Sequence, residues 1–175
     1  FYSLTIVHSR DIILVKGVDY MNITKQKSQK TFDKQAADYD TNIQGEHARK
    51  LYKPIIENLK NKNIHSILDL GCGTGALLKE IKELNIAEQL FGIDISPNML
   101  EIAKNKLGND ATLILGDSER LPFEDSSFDA IVCNDSFHHY PQPDIVEKEV
   151  SRCLKQNGVF IIGDCWQPIG ARQIM

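Results

Sequence analysis

Gly71, Gly73 and Gly75 stand at alternate positions in SILDLGCGTGALL (66–78), directly after an apolar run that ends in Asp69 and Leu70. Glycines so spaced let a backbone approach a ligand with no Cβ in the way. Where such a turn leaves a strand and opens a helix, the free N–H groups of that helix face a bound anion or nucleotide. Asp94 follows about twenty residues on, where a carboxylate accepts both hydroxyls of a ribose. Asp117 closes the apolar run TLIL, and Asp135, His138 and His139 lie together in CNDSFHHYPQP (133–143). A histidine there suits general base chemistry because its ordinary pKa lies close to working pH. Asp135 with the two histidines also suggests a metal, but the sequence offers no further ligand at a matching spacing, so no metal site is predicted.

These residues need a scaffold, and the chain supplies one from Ser66 onward. Short apolar runs (SILDL, LFGID, TLILGD, FDAIVCN, VFIIGD) alternate with amphipathic stretches (ALLKEIKEL, PNMLEIAKNKL, DIVEKEVSRCL). Buried parallel strands read as continuous apolar runs, so the alternation predicts βαβ units: an α/β, Rossmann-like domain, mainly parallel, with helices on both faces. Five strands are visible. Ser96 and Pro97 start the helix after the second strand, and Gly108 stops it.

Upstream, residues 24–42 are polar with Phe32, Ala36 and Tyr39 at helical spacing. EHARKLYKPIIENLKN places Ala48, Leu51, Ile55, Ile56 and Leu59 on one face, with a kink expected at Pro54. Residues 1–20 carry two apolar runs split by Arg10 and Asp11 and do not read as a signal peptide. Met21 reads as a natural start, so residues 1–20 are expected to be an extension of separate origin, a β-hairpin arm being the alternative.

Composition narrows the class. The 175 residues suit one domain, 42% are hydrophobic and 25% charged, and the net charge is −4. That balance offers no broad footprint for a phosphate backbone, so no nucleic-acid partner is expected. Cys72, Cys133, Cys153 and Cys165 form no CxxC pair and are expected to be reduced thiols in the cytoplasm. No apolar stretch is long enough for a membrane span. The sequence does not specify an oligomeric state.

Taken alone, the glycine loop also fits the dinucleotide pattern G-x-G-x-x-A if Ala76 is counted, which leaves a nicotinamide-dependent oxidoreductase as an alternative. In combination, DLGCGTG (69–75), GIDISPNML (92–100), GDSERLPFEDSSFDAIVCN (116–134) and GVFIIGD (158–164) resemble class I S-adenosylmethionine-dependent methyltransferases, especially the ubiquinone and menaquinone biosynthesis group. The resemblance covers roughly residues 30–165, with four motifs in order at strand ends.

It implies S-adenosylmethionine as cofactor, S-adenosylhomocysteine as product and a small-molecule methyl acceptor. It implies that Asp69 holds the methionine amino end, that Gly71, Cys72, Gly73 and Gly75 pass beneath the methionine moiety, and that Asp94 binds the ribose. Asp117 and Ser118 would meet the adenine amino group and ring, Ile95 and Met99 would flank it, and the backbone of Asn134 would face the methionine moiety. FDKQAADYD (32–40) resembles the family's N-terminal lid, with Tyr39 reaching the cofactor carboxylate. Residues 21–62 are then a helical lid and 63–175 the cofactor domain. His139, with His138 beside it, is the candidate catalytic base. No [DNS]PP[YFW] follows the fourth strand, which sets the sequence apart from amino-methylating nucleic-acid enzymes. The family's sheet has seven strands, and CWQPIGARQIM shows no pattern for the last two, so strands six and seven are expected to be missing. A non-catalytic S-adenosylmethionine-binding module is the alternative in that case.

Overall fold

The computed structural model describes the backbone of residues 2–7 and 18–165, and side chains from Ile23 to Asp164 apart from Gln44. The second apolar run of the N-terminal arm and the tail after Cys165 lie outside the described residues.

The strands are β1 (Tyr2–Val7), β2 (Ile64–Leu70), β3 (Ala87–Asp94), β4 (Thr112–Leu115), β5 (Phe128–Asn134) and β6 (Leu154–Cys165). The helices are α1 (Val18–Gln35), α2 (Ile43–Leu59), α3 (Ala76–Glu83), α4 (Pro97–Leu107) and α5 (Pro143–Cys153). The sheet order is β1-β6-β5-β2-β3-β4. β6, β5, β2, β3 and β4 are mutually parallel, as the apolar runs require. β1 adds an antiparallel edge, from Tyr2 opposite Cys165 to Val7 opposite Phe160. Its residues are those expected to be an extension, and their backbone groups find partners on β6. The helix α1 begins at Val18, so the boundary expected at residue 21 falls inside it; the nearest helix breaker in the sequence is Gly17.

Alternating residues of the central strands face opposite layers. Ile67, Ala130, Val132 and Ile161 pack with Leu51, Ile55 and Leu59 of α2 and with Leu77, Leu78 and Ile81 of α3. Leu68, Leu70, Ile131 and Phe160 pack with Val146, Val150 and Cys153 of α5. The apolar face read for α2 is buried at all five positions, and the helix runs on through Pro54 as one element. The helix expected over residues 24–42 ends at Gln35, passes into a 3₁₀ turn at Ala36–Asp38, and restarts as α2 from an Asn42 cap.

Chain order runs outward from β2 through β3 to β4, then returns to the other side of β2 with β5 and β6. The crevice at a topological switch of this kind opens beyond the carboxyl ends of the two strands that flank it, β2 and β5. The glycine loop leaves β2 there, and the segment containing His139 leaves β5.

Candidate functional site

At the end of β2 the amides of Gly71 and Cys72 both donate to the Ile93 carbonyl, at 2.9 and 3.0 Å, which turns the chain sharply over β3. Gly71 takes φ +75°, and a Cβ on it would sit 2.1 Å from Ser136 Oγ. Gly73 takes φ +51° with nothing within 4 Å of where its Cβ would be, so it faces the crevice. Gly75 has a structural role of its own in the loop. It caps α3, and a Cβ there would meet Leu107 at 2.8 Å and Ala103 at 3.1 Å, so it serves close packing against α4.

Asp94 braces this loop from β3: Oδ2 accepts the Gly73 amide and Oδ1 the Ser96 amide, each at 2.8 Å. The helix α4 starts from Ser96, whose Oγ accepts the Met99 amide. Asp117, just past β4, accepts the Glu119 amide on Oδ1 and Lys25 Nζ on Oδ2, at 2.9 and 2.6 Å.

One cavity gathers almost the whole expected set. Tyr39, Asp69, Gly71, Cys72, Gly73, Asp94, Ile95, Met99, Asp117, Ser118, Asn134 and His139 line it; Gly75 and His138 do not. Lys25, Ser28, Tyr52, Glu119 and Tyr140 also line it, and sequence reading missed them. A signal existed: Lys25, Ser28 and Phe32 repeat at four-residue or shorter helical spacing on one face of α1. Three sets of polar ties hold α1 and the turn after it against the crevice. Lys25 reaches Asp117, Asp33 accepts from Ser96 Oγ at 2.6 Å, and Asp40 meets Thr74 Oγ1 at 2.5 Å and Lys106 at 2.7 Å.

Acidic side chains outnumber basic ones in the lining, with Asp69, Asp94, Asp117, Glu119 and Asp135 against Lys25 and His139. Asp69 is 2% exposed, and its Oδ1 has no hydrogen-bond partner. Burial, helped by the charge of Asp94, pushes its carboxyl up to about 8. Asp94 is also raised, by burial that outweighs its bonds to the backbone. The Tyr39 phenol is pushed up to about 12 by burial and by the charges of Asp135, Asp94 and Asp40. At Lys25 burial opposes the charge, but the bonds to Asp117 and Glu119 win and raise its pKa.

The histidines depart from expectation. His139 packs edge-on against Phe32, with ring centroids 5.1 Å apart, and lies 3.9 Å from the His138 ring. Burial, then the neighbouring His138, lowers its pKa to about 4 instead of leaving it near working pH. His138 is tied to Asp164: Nδ1 lies 2.6 Å from Oδ1, and its amide donates to Oδ2 at 3.0 Å. Asp164 is the third group that spacing failed to reveal beside Asp135 and His138, with one ligand atom from each lying within 4.8 Å of the others. It comes from the far end of β6. Cys72, Cys133 and Cys153 are free and buried; the Cys165 side chain lies outside the described residues. Among the described residues no helix is long and apolar enough to cross a membrane.

A mainly parallel sheet with a glycine loop at its switch point, acids ending β3 and following β4, and a helix lying over them define a Rossmann-like α/β domain. Residues 68–162 match the family model described as a methyltransferase domain, and the chain belongs to that family. It is 33% identical over 148 residues to demethylmenaquinone methyltransferase of Thermotoga maritima, covering 83% of this chain and 64% of that protein. It is 35% identical over 125 residues to sterol 4-C-methyltransferase strm-1 of Caenorhabditis elegans, covering 68% and 36%. The chain thus spans between about a third and two thirds of the length of these relatives. Among solved structures, the YcgJ protein of Bacillus subtilis superposes with TM-score 0.64 at 28% identity, covering 70% of this chain and 53% of that one. Phosphoethanolamine N-methyltransferase 1 of Haemonchus contortus, solved with phosphoethanolamine and S-adenosylhomocysteine, superposes with TM-score 0.71 at 17% identity and shares the fold, covering 85% and 34%.

Proposed function

We propose that this chain binds S-adenosylmethionine and transfers its methyl group to a small-molecule acceptor. The observation that carries the reading is the unpartnered Asp69 Oδ1. A buried carboxyl with no donor is costly until a cation or hydrogen-bond donor meets it. S-adenosylmethionine brings an ammonium and a sulfonium to a cavity whose acids are otherwise under-compensated.

The roles follow from the lining. Asp69 would hold the ammonium, the open side of Gly73 would leave room for the methionine chain, and Asp94 would accept from the ribose. Asp117 with Ser118 would meet the adenine edge between Ile95 and Met99. Asn134 would face the methionine end, and α1 with Tyr39 would act as the lid. When bound, S-adenosylmethionine supplies a methyl group on a positively charged sulfur, which needs an aligned nucleophile more than an acid or base. A neutral His139 suits such a site, because it orients an acceptor by hydrogen bonding while Phe32 and Tyr39 exclude water.

Titration calorimetry with S-adenosylhomocysteine and with NAD tests the cofactor. The homocysteine compound should bind and NAD should not; the reverse would support the oxidoreductase alternative and end this reading. Transfer of labelled methyl to quinone-like, sterol-like and amine acceptors tests the reaction, and its absence across all three with the cofactor bound would favour a non-catalytic module.

A further inference from the structure

Glu119 has no role in the reading above, yet it is among the best-partnered acids of the protein. Its side chain is 7% exposed. Oε2 accepts from Lys25 Nζ at 2.5 Å and from Gln142 Nε2 at 2.8 Å, and Oε1 accepts the Gln142 amide at 3.2 Å. These partners come from distant elements. Lys25 belongs to α1, Gln142 is the N-cap of α5, and Glu119 itself lies two residues past Asp117. Gln142 also ends the segment 135–142 that carries His139.

A buried carboxylate persists only where a cation and donors surround it. Here Lys25 supplies the charge, and the start of α5 adds its amide and the positive end of the helix dipole. A second contact closes a ring. Phe32, two turns along α1 from Lys25 and on the same face, packs edge-on against His139. The helix α1 therefore holds the histidine segment at two points, at His139 directly and at its last residue, Gln142, through Glu119. Lys25 simultaneously holds Asp117.

We propose that Glu119 is a positioning residue that couples α1 to segment 135–142, so that closure of the helix over the cavity and placement of His139 happen together. The part of the proposal that involves a bound ligand rests on the cofactor reading; the coupling itself does not.

Amide hydrogen exchange on the full chain without ligand tests the coupling. Lys25 makes no hydrogen bond to residues 137–142, yet Lys25→Met should speed exchange there about tenfold, the effect of losing one hydrogen bond to a charged group. Lys25→Arg, which can still bond both carboxylates, should restore the original rate, whereas a merely structural lysine position would tolerate neither or both. Glu119→Gln, and as a milder variant Gln142→Ala, should loosen the same segment while amides of β3 and α3 keep their protection. With S-adenosylhomocysteine added, the wild-type chain should gain protection both at 71–75 and at 137–142, and Glu119→Gln only at 71–75. Unchanged exchange at 137–142 in both Lys25→Met and Glu119→Gln would overturn the coupling. A wild-type chain that ignores S-adenosylhomocysteine would overturn the cofactor reading instead, and the ligand-free comparison would still decide the coupling.

Discussion

The Gly73 amide donates to Asp94 Oδ2 at 2.8 Å, so the carboxylate proposed for the ribose also holds the loop proposed to pass under the methionine chain. With Ser96 on its other oxygen, Asp94 is fixed before any ligand arrives. Asp94→Ala should therefore remove a ligand bond and loosen the loop. The expected loss in S-adenosylhomocysteine affinity is about 1.5–3 kcal/mol, the range for hydrogen bonds to a charged group. Calorimetry giving an affinity within error of wild type would remove Asp94 from the site.

Gly71 and Gly73 share a positive φ but should respond differently to alanine. At Gly71 a Cβ collides with Ser136 Oγ, on top of the left-handed backbone cost. At Gly73 the space is open, so Gly73→Ala carries only the backbone cost, about 1–2 kcal/mol. Gly73→Ala should stay folded and lose ligand affinity, whereas Gly71→Ala should lose thermal stability first. Equal melting temperatures for the two variants would contradict this division.

Local chemistry was readable in the sequence, and long-range contact was not. Ser96 with Pro97 and Gly108 bounded α4 correctly because caps act within one turn, and the five parallel strands announced themselves as apolar runs. Gly75 looked like its two neighbours because the reason for it, α4 packed against its Cα, comes from elsewhere in the chain. Asp164 was invisible beside His138 because β6 brings it there from 26 residues away. Sequence neighbours alone give His139 an ordinary pKa, because the burial that depresses it comes from the fold, in which Phe32 of α1 packs against its ring. Residues 2–7 showed β-branched character, but the sequence named no partner, and β6 provides one.

Asp69 should make the protein sensitive to alkali and its ligand affinity sensitive to acid. Its carboxyl is raised from 3.8 to about 8 on folding. Between those values the folded state keeps a proton that the unfolded state has lost, so ligand-free stability falls as pH rises through the window. Asp69→Asn should abolish that slope, and its melting temperature relative to wild type should climb from about pH 5 to about pH 8. The ammonium group of S-adenosylhomocysteine, placed against Asp69, favours the ionised form, so the compound should bind wild type more tightly as pH rises towards 8, below the range where that amine loses its proton. Parallel stability profiles for the two proteins would show that Asp69 is ionised throughout.

His139 should work as a neutral group. Its pKa falls from 6.5 to about 4 on folding, chiefly through burial, so between those values the unfolded state binds the extra proton. Its contribution to stability is complete above about pH 6.5 and is lost as pH falls towards 4. His139→Gln, which cannot titrate, should therefore flatten the acid side of the stability profile while leaving S-adenosylhomocysteine affinity nearly unchanged. A true general base contributes about 10²–10⁴ in rate. An orienting group contributes less, so methyl transfer by His139→Gln should fall by less than about 100-fold, with no break near pH 6.5 in the wild-type profile. A wild-type break near 6.5 that vanishes in the variant, with a loss of 10³ or more at its plateau, would return His139 to the role of base and show that bound acceptor raises its pKa from the ligand-free value.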